Sequence, residues 1–137
     1  MDLQRQSDLS YQENVREPLV LVVDDSEDNL QLLVQLLDLM ECSSITATNG
    51  QTTIEKAKSD QPHLILLDIM LPDISGVEVV HRLKQEAQTE RIPIVAVTAM
   101  ARLEDRESFL AAGCVECVTK PYDIDALEVL IRKYVFC

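Results

Sequence analysis

Two patterns of apolar residues alternate along the chain. Short continuous apolar runs are typical of strands that are buried on both faces, whereas apolar residues spaced three and four positions apart are typical of helices with one buried face. Apolar runs predict strands at residues 19–23, 64–67 and 92–97, and two less apolar stretches, at residues 44–48 and 115–119, also read as strands. The second pattern predicts five helices, at residues 27–40, 50–59, 77–87, 102–112 and 124–135.

Helices follow strands in strict alternation, and this order indicates the fold class. Parallel strands need long crossover connections, and helices on both faces of the sheet explain why the strands at residues 19–23 and 64–67 are apolar throughout. We therefore predict an α/β fold, a doubly wound five-stranded parallel sheet with five helices. Residues 1–17 are polar, carry mixed charges and lack an apolar period, so we expect a flexible N-terminal tail ahead of one domain at residues 18–137.

Composition and charge exclude several classes of function. The 137 residues, 47% of them hydrophobic, suffice for one domain with its own core. A net charge of −12 argues against nucleic acid and against an anionic membrane surface as partners, because both require a positively charged face. The chain contains neither an apolar run of membrane-spanning length nor a signal peptide, so we expect a cytoplasmic protein.

The cysteines do not form a recognisable metal or redox site. Cys114 and Cys117 have the C-x-x-C spacing, but a zinc site needs two further ligands at a matching spacing, and neither histidine has a nearby partner in sequence. Residues three apart on a strand also point to opposite faces of the sheet. We interpret Cys42, Cys114, Cys117 and Cys137 as small buried residues and surface thiols.

Polar side chains that could carry chemistry fall at the ends of the predicted strands. They are Asp24 and Asp25 after the first strand, Asp68 after the third, Thr98 after the fourth and Lys120 after the fifth. The carboxyl ends of parallel strands lie at one edge of the sheet, where ligands of this fold class bind. Neighbouring carboxylates are costly to ionise together, so we expect a positive group between them.

These residues give the chain a resemblance to the receiver domain of two-component response regulators. The resemblance covers roughly residues 19–134 and rests on four motifs in order, VVDDS, LLDIMLPDISG, VAVTAM and VTKPY. It implies a flavodoxin-like (receiver) topology and a phosphoryl-accepting signalling module, which is not a metabolic enzyme and acts only on its own aspartate. Because the chain ends directly after the last predicted helix, we expect a stand-alone receiver without a DNA-binding output domain.

The resemblance also implies a phosphorylation site and a metal site. Asp68 would receive the phosphoryl group from a phosphohistidine of a sensor histidine kinase or histidine phosphotransfer protein, and would pass the signal to a protein target that the sequence does not identify. Phosphoryl transfer depends on charge neutralisation, and oxygen ligands suit Mg²⁺. The implied ligands are Asp25 and Asp68 directly, Asp24 through water, and the backbone carbonyl of Met70.

Further implied roles concern the phosphoryl oxygens and the switch. Lys120 would pair with Asp68 and then with a phosphoryl oxygen, Thr98 would donate its hydroxyl to another, and the Lys120–Pro121 bond would be cis. The family usually has Tyr or Phe at the position of Cys117. Since a thiol cannot act as a large aromatic lever, we expect Thr98 and its adjoining loop to carry the signal.

Two alternatives stay open, together with one question about the surface. A small α/β enzyme or nucleotide binder would need a glycine-rich loop, and the three glycines have neither common spacing. A receiver-like scaffold with impaired switching would bind partners independently of phosphorylation, as Cys117 allows. On the first predicted helix, a second apolar stripe is either a surface for docking the kinase or part of the core. Its members are Leu32, Leu36 and Leu39.

Overall fold

A single parallel sheet organises the described part of the chain, which comprises residues 17–99 and 102–136 of a computed structural model. Its strands are β1 (Leu19–Val23), β2 (Ser43–Ala47), β3 (Leu64–Asp68), β4 (Ile94–Thr98) and β5 (Glu116–Thr119). Every neighbouring pair is parallel, in the order β2-β1-β3-β4-β5. The predicted α/β class is confirmed, and the strand order changes direction between β1 and β3, where a crevice opens beyond their carboxyl ends.

Helices cover both faces of the sheet. They are α1 (Glu27–Leu39), α2 (Gly50–Asp60), α3 (Gly76–Lys84), α4 (Leu103–Ala112) and α5 (Ile124–Val135). Apolar side chains of α2, α3 and α4 form one core against the sheet, and those of α1 and α5 form the other. None of the described helices combines the length and apolar character that a membrane span requires. The predicted tail lies outside the described residues apart from Glu17, as do Met100 and Cys137.

The end of α3 and the start of β4 differ from the sequence prediction. Helix α3 ends at Lys84, three residues early, because the buried Thr89 donates its hydroxyl to the carbonyl of Leu83 at 2.6 Å and folds the following segment back. Strand β4 begins after Pro93, which lacks the N–H that a central strand donates to its neighbour. The other predicted ends agree within one or two residues.

The three leucines of the predicted second stripe on α1 differ in their exposure to solvent. Leu36 is only 8% exposed and belongs to the core between α1 and the sheet. Of the two alternatives for this residue, the core is therefore confirmed, because the helix turns this side chain toward β1 and β3. Leu32 is 44% exposed and Leu39 is 84% exposed. Only these two remain available on the surface of the helix.

The described cysteines are free thiols that contribute to packing. Cys42 and Cys114 are buried, one in each core, and Cys117 is half-buried on β5. Burial raises the pKa of Cys114 to about 11, so this thiol is protonated and unreactive near neutral pH. The predicted structural role suits both buried side chains, whereas Cys137 lies outside the described residues.

Candidate functional site

Three carboxylates meet beyond the ends of β1 and β3. The register that pairs Val23 with Leu67 brings the residues after β1 level with the end of β3. One carboxylate oxygen from each of Asp24, Asp25 and Asp68 lies within 4.8 Å of the others. Asp24 is 2% exposed and Asp68 is 3% exposed, whereas Asp25 is open to solvent. Two buried acids and one accessible acid make an all-oxygen donor set of the kind that holds Mg²⁺.

Lys120 neutralises part of this negative charge. Its Nζ lies 2.9 Å from Asp24 Oδ2 and 3.1 Å from Asp68 Oδ2. The resemblance implied the contact with Asp68, whereas Lys120 was not predicted to contact Asp24. Burial opposes the charged amine, yet the hydrogen bonds to the two carboxylates outweigh it and raise the pKa of Lys120. The Lys120–Pro121 peptide bond is cis, as predicted.

The surroundings of Asp68 disfavour its ionised form. Burial raises the pKa of Asp68, although the backbone N–H of Met70 donates to its Oδ1 at 3.0 Å and Lys120 donates to its Oδ2. The neighbouring charge of Asp24 acts in the same direction as burial. A carboxylate in this environment gains from an additional cation, which the geometry of the three acids would accommodate.

Asp24 is fixed by residues at the start of α1. The backbone N–H of Ser26 donates to its Oδ1 at 2.9 Å, and Nδ2 of Asn29 donates to its Oδ2 at 3.2 Å. Ser26 also caps the helix by accepting from the N–H of Asn29. Sequence reasoning missed Asn29. The signal that could have found it is its place in the first turn of α1, where a side chain can face back toward the acids.

The remaining predicted residues lie at or near the same edge. Thr98 ends β4, is fully buried and lies beside Thr119 in the register of β4 and β5. Met70 follows two residues after Asp68, and its side chain is exposed. Cys117 lies on β5 and contacts the core under α2, α3 and α4.

Helix α4 approaches β5 next to this position. Nη1 of Arg106 donates to Oγ1 of Thr119 at 3.2 Å. Burial raises the pKa of the Cys117 thiol, and the nearby guanidinium of Arg106 opposes this effect. A charged side chain of α4 thus lies beside the small thiol, in contact with the strand that leads to Lys120.

An apolar groove of about 480 Å³ borders the acidic site. It lies between the start of α1 and the loops that follow β4 and β5. The residues that line it beside Lys120 are Asn29, Leu32, Ala99, Pro121, Tyr122 and Ile124. The hydroxyl of Tyr122 is buried and has no hydrogen-bond partner among the described residues. The groove therefore offers an apolar surface next to the candidate phosphoryl acceptor.

Comparisons with known proteins agree with this geometry. Residues 20–132 match the family model of the response regulator receiver domain. The polar-differentiation response regulator DivK of Brucella anthropi is 35% identical over 115 residues, which cover 84% of this chain and 94% of the relative.

Two solved structures have the same fold. The receiver domain of the sensor histidine kinase PA1611 from Pseudomonas aeruginosa, with a magnesium ion coordinated in its active site cleft, has a TM-score of 0.81 at 24% identity and covers 89% of this chain and 100% of its own. The receiver domain of Ssk1 from Saccharomyces cerevisiae, in complex with the histidine phosphotransfer protein Ypd1, has a TM-score of 0.80 at 28% identity and covers 88% of this chain and 90% of its own. Since the family match extends over all five strands, the chain belongs to the response regulator receiver domains of two-component signalling.

Proposed function

We propose that Asp68 accepts a phosphoryl group from the phosphohistidine of a sensor histidine kinase or histidine phosphotransfer protein. The observation that carries this assignment is the position of Asp68, which is buried at the sheet edge, paired with Lys120 and clustered with two further acids. A carboxylate oxygen of Asp68 bonds to phosphorus while the bond between phosphorus and the histidine nitrogen breaks, and the electron pair stays on the imidazole. The domain modifies only itself, and its role is regulatory.

Magnesium fits the donor set of this site. Asp25 and Asp68 would bind the ion directly and Asp24 through water, with the backbone carbonyl of Met70 as a further ligand. When bound, Mg²⁺ neutralises negative charge on the phosphoryl oxygens during transfer. The support for this assignment is the approach of three carboxylates to within 4.8 Å of one another and the absence of sulfur or nitrogen donors from that cluster of described residues.

Lys120 and Thr98 stabilise the phosphoryl group once it is attached. The ammonium group of Lys120 is a point charge on a flexible stem, so it can move from the carboxylate of Asp68 to a phosphoryl oxygen. Thr98 donates its hydroxyl to another oxygen and carries the signal into the loop after β4. With Cys117 in place of a large aromatic residue, the contact between Arg106 and Thr119 links that edge to α4.

The phosphohistidine partner docks over the apolar groove beside Lys120. Leu32 is partly exposed there, and Pro121 and Ile124 extend the apolar surface from the other side. The groove adjoins Asp68 through Lys120, so a helix that presents a histidine at its rim reaches the acceptor. The Ssk1 receiver, which forms a complex with a histidine phosphotransfer protein, is a structural relative for which this class of partner is known.

Phosphorylation by a small molecule tests the acceptor. Incubation with acetyl phosphate and Mg²⁺ should add one phosphoryl group, measured as a mass increase of the intact protein. We expect Asp68→Asn and removal of Mg²⁺ with EDTA to abolish the label, whereas the exposed Asp38→Asn on α1 should retain it. A label that persists in Asp68→Asn would contradict the assignment. An unlabelled wild-type protein that still binds its partner would favour the phosphorylation-independent scaffold.

A further inference from the structure

Asp73 makes an unusual pair of hydrogen bonds in the loop between β3 and α3. Its Oδ1 accepts from the backbone N–H of Gly50 at 2.7 Å, and its Oδ2 accepts from the N–H of Gln51 at 3.0 Å. Both N–H groups belong to the first turn of α2, where they have no partner within the helix, and they lie more than twenty residues from Asp73 in sequence. Because the two hydrogen bonds favour the charged form, the pKa of Asp73 falls to about 2. The side chain is therefore ionised and held in place although it is exposed.

Helix α2 has its own cap, so capping alone does not account for Asp73. Asn49 precedes the helix and accepts from the N–H of Thr52 at 2.8 Å. Asp73 contributes two further hydrogen bonds to the same helix end from a different part of the chain. Their effect is to tie the loop after β3 to the start of α2.

Close packing fixes this loop at two other points. The N–H of Gly76 donates to the carbonyl of Ile69 at 2.9 Å, and a Cβ on Gly76 would lie 2.6 Å from the Cα of Ile69. A Cβ on Gly50 would collide with the side chain of Ile74. The loop is thus closed at its base, and its outer half is pressed against α2. Replacement of Gly76 would displace the backbone at Ile69, and replacement of Gly50 would displace the side chain of Ile74.

The link that Asp73 makes between the loop and α2 spans a cleft beside the acidic site, which Asp25 borders. One wall of a cleft of about 400 Å³ is Asp25, and the loop residues from Ile69 to Ser75 form the rest of its lining. On the Asp25 side, the backbone N–H of Asp24 donates to the carbonyl of Ala47 at the end of β2. Helix α2 begins three residues after Ala47. Asp73 therefore connects the β3 side of the cleft to the β1 and β2 side.

We propose that Asp73 is a positioning residue for the metal, since it holds the loop that carries Met70 at a fixed distance from Asp25. The inference rests on the proposed function, in which the carbonyl of Met70 is a ligand. Without Asp73, Asp24 keeps its contacts with Ser26 and Asn29, and Lys120 still pairs with Asp24 and Asp68. The loop that carries Met70, however, loses its hydrogen bonds to α2. Metal affinity should fall while the acceptor itself stays intact.

Calorimetric titration with Mg²⁺ alone tests this role. We expect Asp73→Ala to weaken Mg²⁺ binding about tenfold, the lower end of what loss of an outer partner of a metal site costs. Asp73→Asn keeps the shape and one acceptor oxygen, so it should recover part of the affinity. Asn49→Ala removes a hydrogen bond from the same helix end without touching the loop, and should bind Mg²⁺ like the wild type. Saturating Mg²⁺ should restore labelling of Asp73→Ala by acetyl phosphate.

The outcomes separate this role from the proposed function. Wild-type affinity in Asp73→Ala, or an equal loss in Asn49→Ala, would overturn the positioning role and leave the metal site standing. A wild-type protein that binds no Mg²⁺ would overturn the metal site, and the role of Asp73 with it. If Asp73→Ala proves too unstable to titrate, an affinity of Asp73→Asn below that of the wild type supports the positioning role, and an affinity equal to that of the wild type overturns it.

Discussion

The charge balance of the site depends on Lys120. We expect Lys120→Met, which preserves length and volume, to lower the free energy of unfolding by about 3 kcal/mol without Mg²⁺, because it leaves the buried Asp24 and Asp68 uncompensated. Mg²⁺ should then stabilise the variant more than the wild type. Since the pKa of Lys120 is raised above 10.5, its contribution is complete at neutral pH and is lost only as the pH rises through that higher pKa.

Urea denaturation in EDTA and in Mg²⁺ measures this effect. Lys133→Met is the matched control, because Lys133 pairs with Glu116 at 3.1 Å on the surface, where an ion pair contributes little. Equal losses in the two variants would show that Lys120 acts as an ordinary surface cation.

The residues of the site differ in how readily they can be predicted from the sequence. Asp24, Asp68 and Lys120 could be predicted together because each directly follows a predicted strand, and parallel strands bring such ends to one edge. Asn29 and Asp73 could not be predicted in the same way. Each acts through a contact between a helix start and a neighbouring loop, and these contacts exist only once the helices have packed on the sheet.

Helix α1 shows how one element serves both the core and the candidate partner surface. Leu36 lies in the core, so Leu36→Glu would damage the fold and could not report on docking. We expect Leu32→Glu to slow transfer from a phosphohistidine protein about tenfold, as a contact central to an interface would. Labelling by acetyl phosphate should be unchanged, because Leu32 lines the groove and Asp68 does not.

Rapid-mixing measurements of phosphotransfer test this expectation with any histidine phosphotransfer protein that labels the wild type. Leu39→Glu is the control, since Leu39 lies on the same helix, is 84% exposed and does not line the groove. An equal rate for wild type and Leu32→Glu would place the docking surface elsewhere.

The elements themselves could be predicted more completely than their ends. An apolar run is a local property and predicts β1, β3 and β4, whereas the less apolar β2 and β5 continue the same alternation of strand and helix. The ends depend on other segments. The hydroxyl of Thr89 donates to the carbonyl of Leu83 at the end of α3, and this hydrogen bond forms only after the chain has turned back. The position of Arg106 beside Cys117 is likewise a property of α4 packing on β5.

Across the whole molecule, negative charge opposes folding and the candidate metal site concentrates it. The net charge is −12, and three acids converge where the strand order changes direction. A cation that binds only the folded state stabilises it by mass action. At ten times its dissociation constant, Mg²⁺ should add about 1.4 kcal/mol to the free energy of unfolding. For a domain of this size, that gain raises the thermal midpoint by about 5 °C.

Ionic strength must be separated from specific binding, because any salt screens the repulsion of a strongly acidic chain. Thermal unfolding should therefore be compared in MgCl₂ and in NaCl of equal ionic strength, with Asp25→Asn beside the wild type. Asp25 is exposed, so its replacement removes a proposed metal ligand without opening the core. We expect the wild type to gain more from MgCl₂ than from NaCl, and Asp25→Asn to gain equally from both. If MgCl₂ and NaCl stabilise the wild type equally, the effect is general screening of surface charge, and the three acids bind no specific ion.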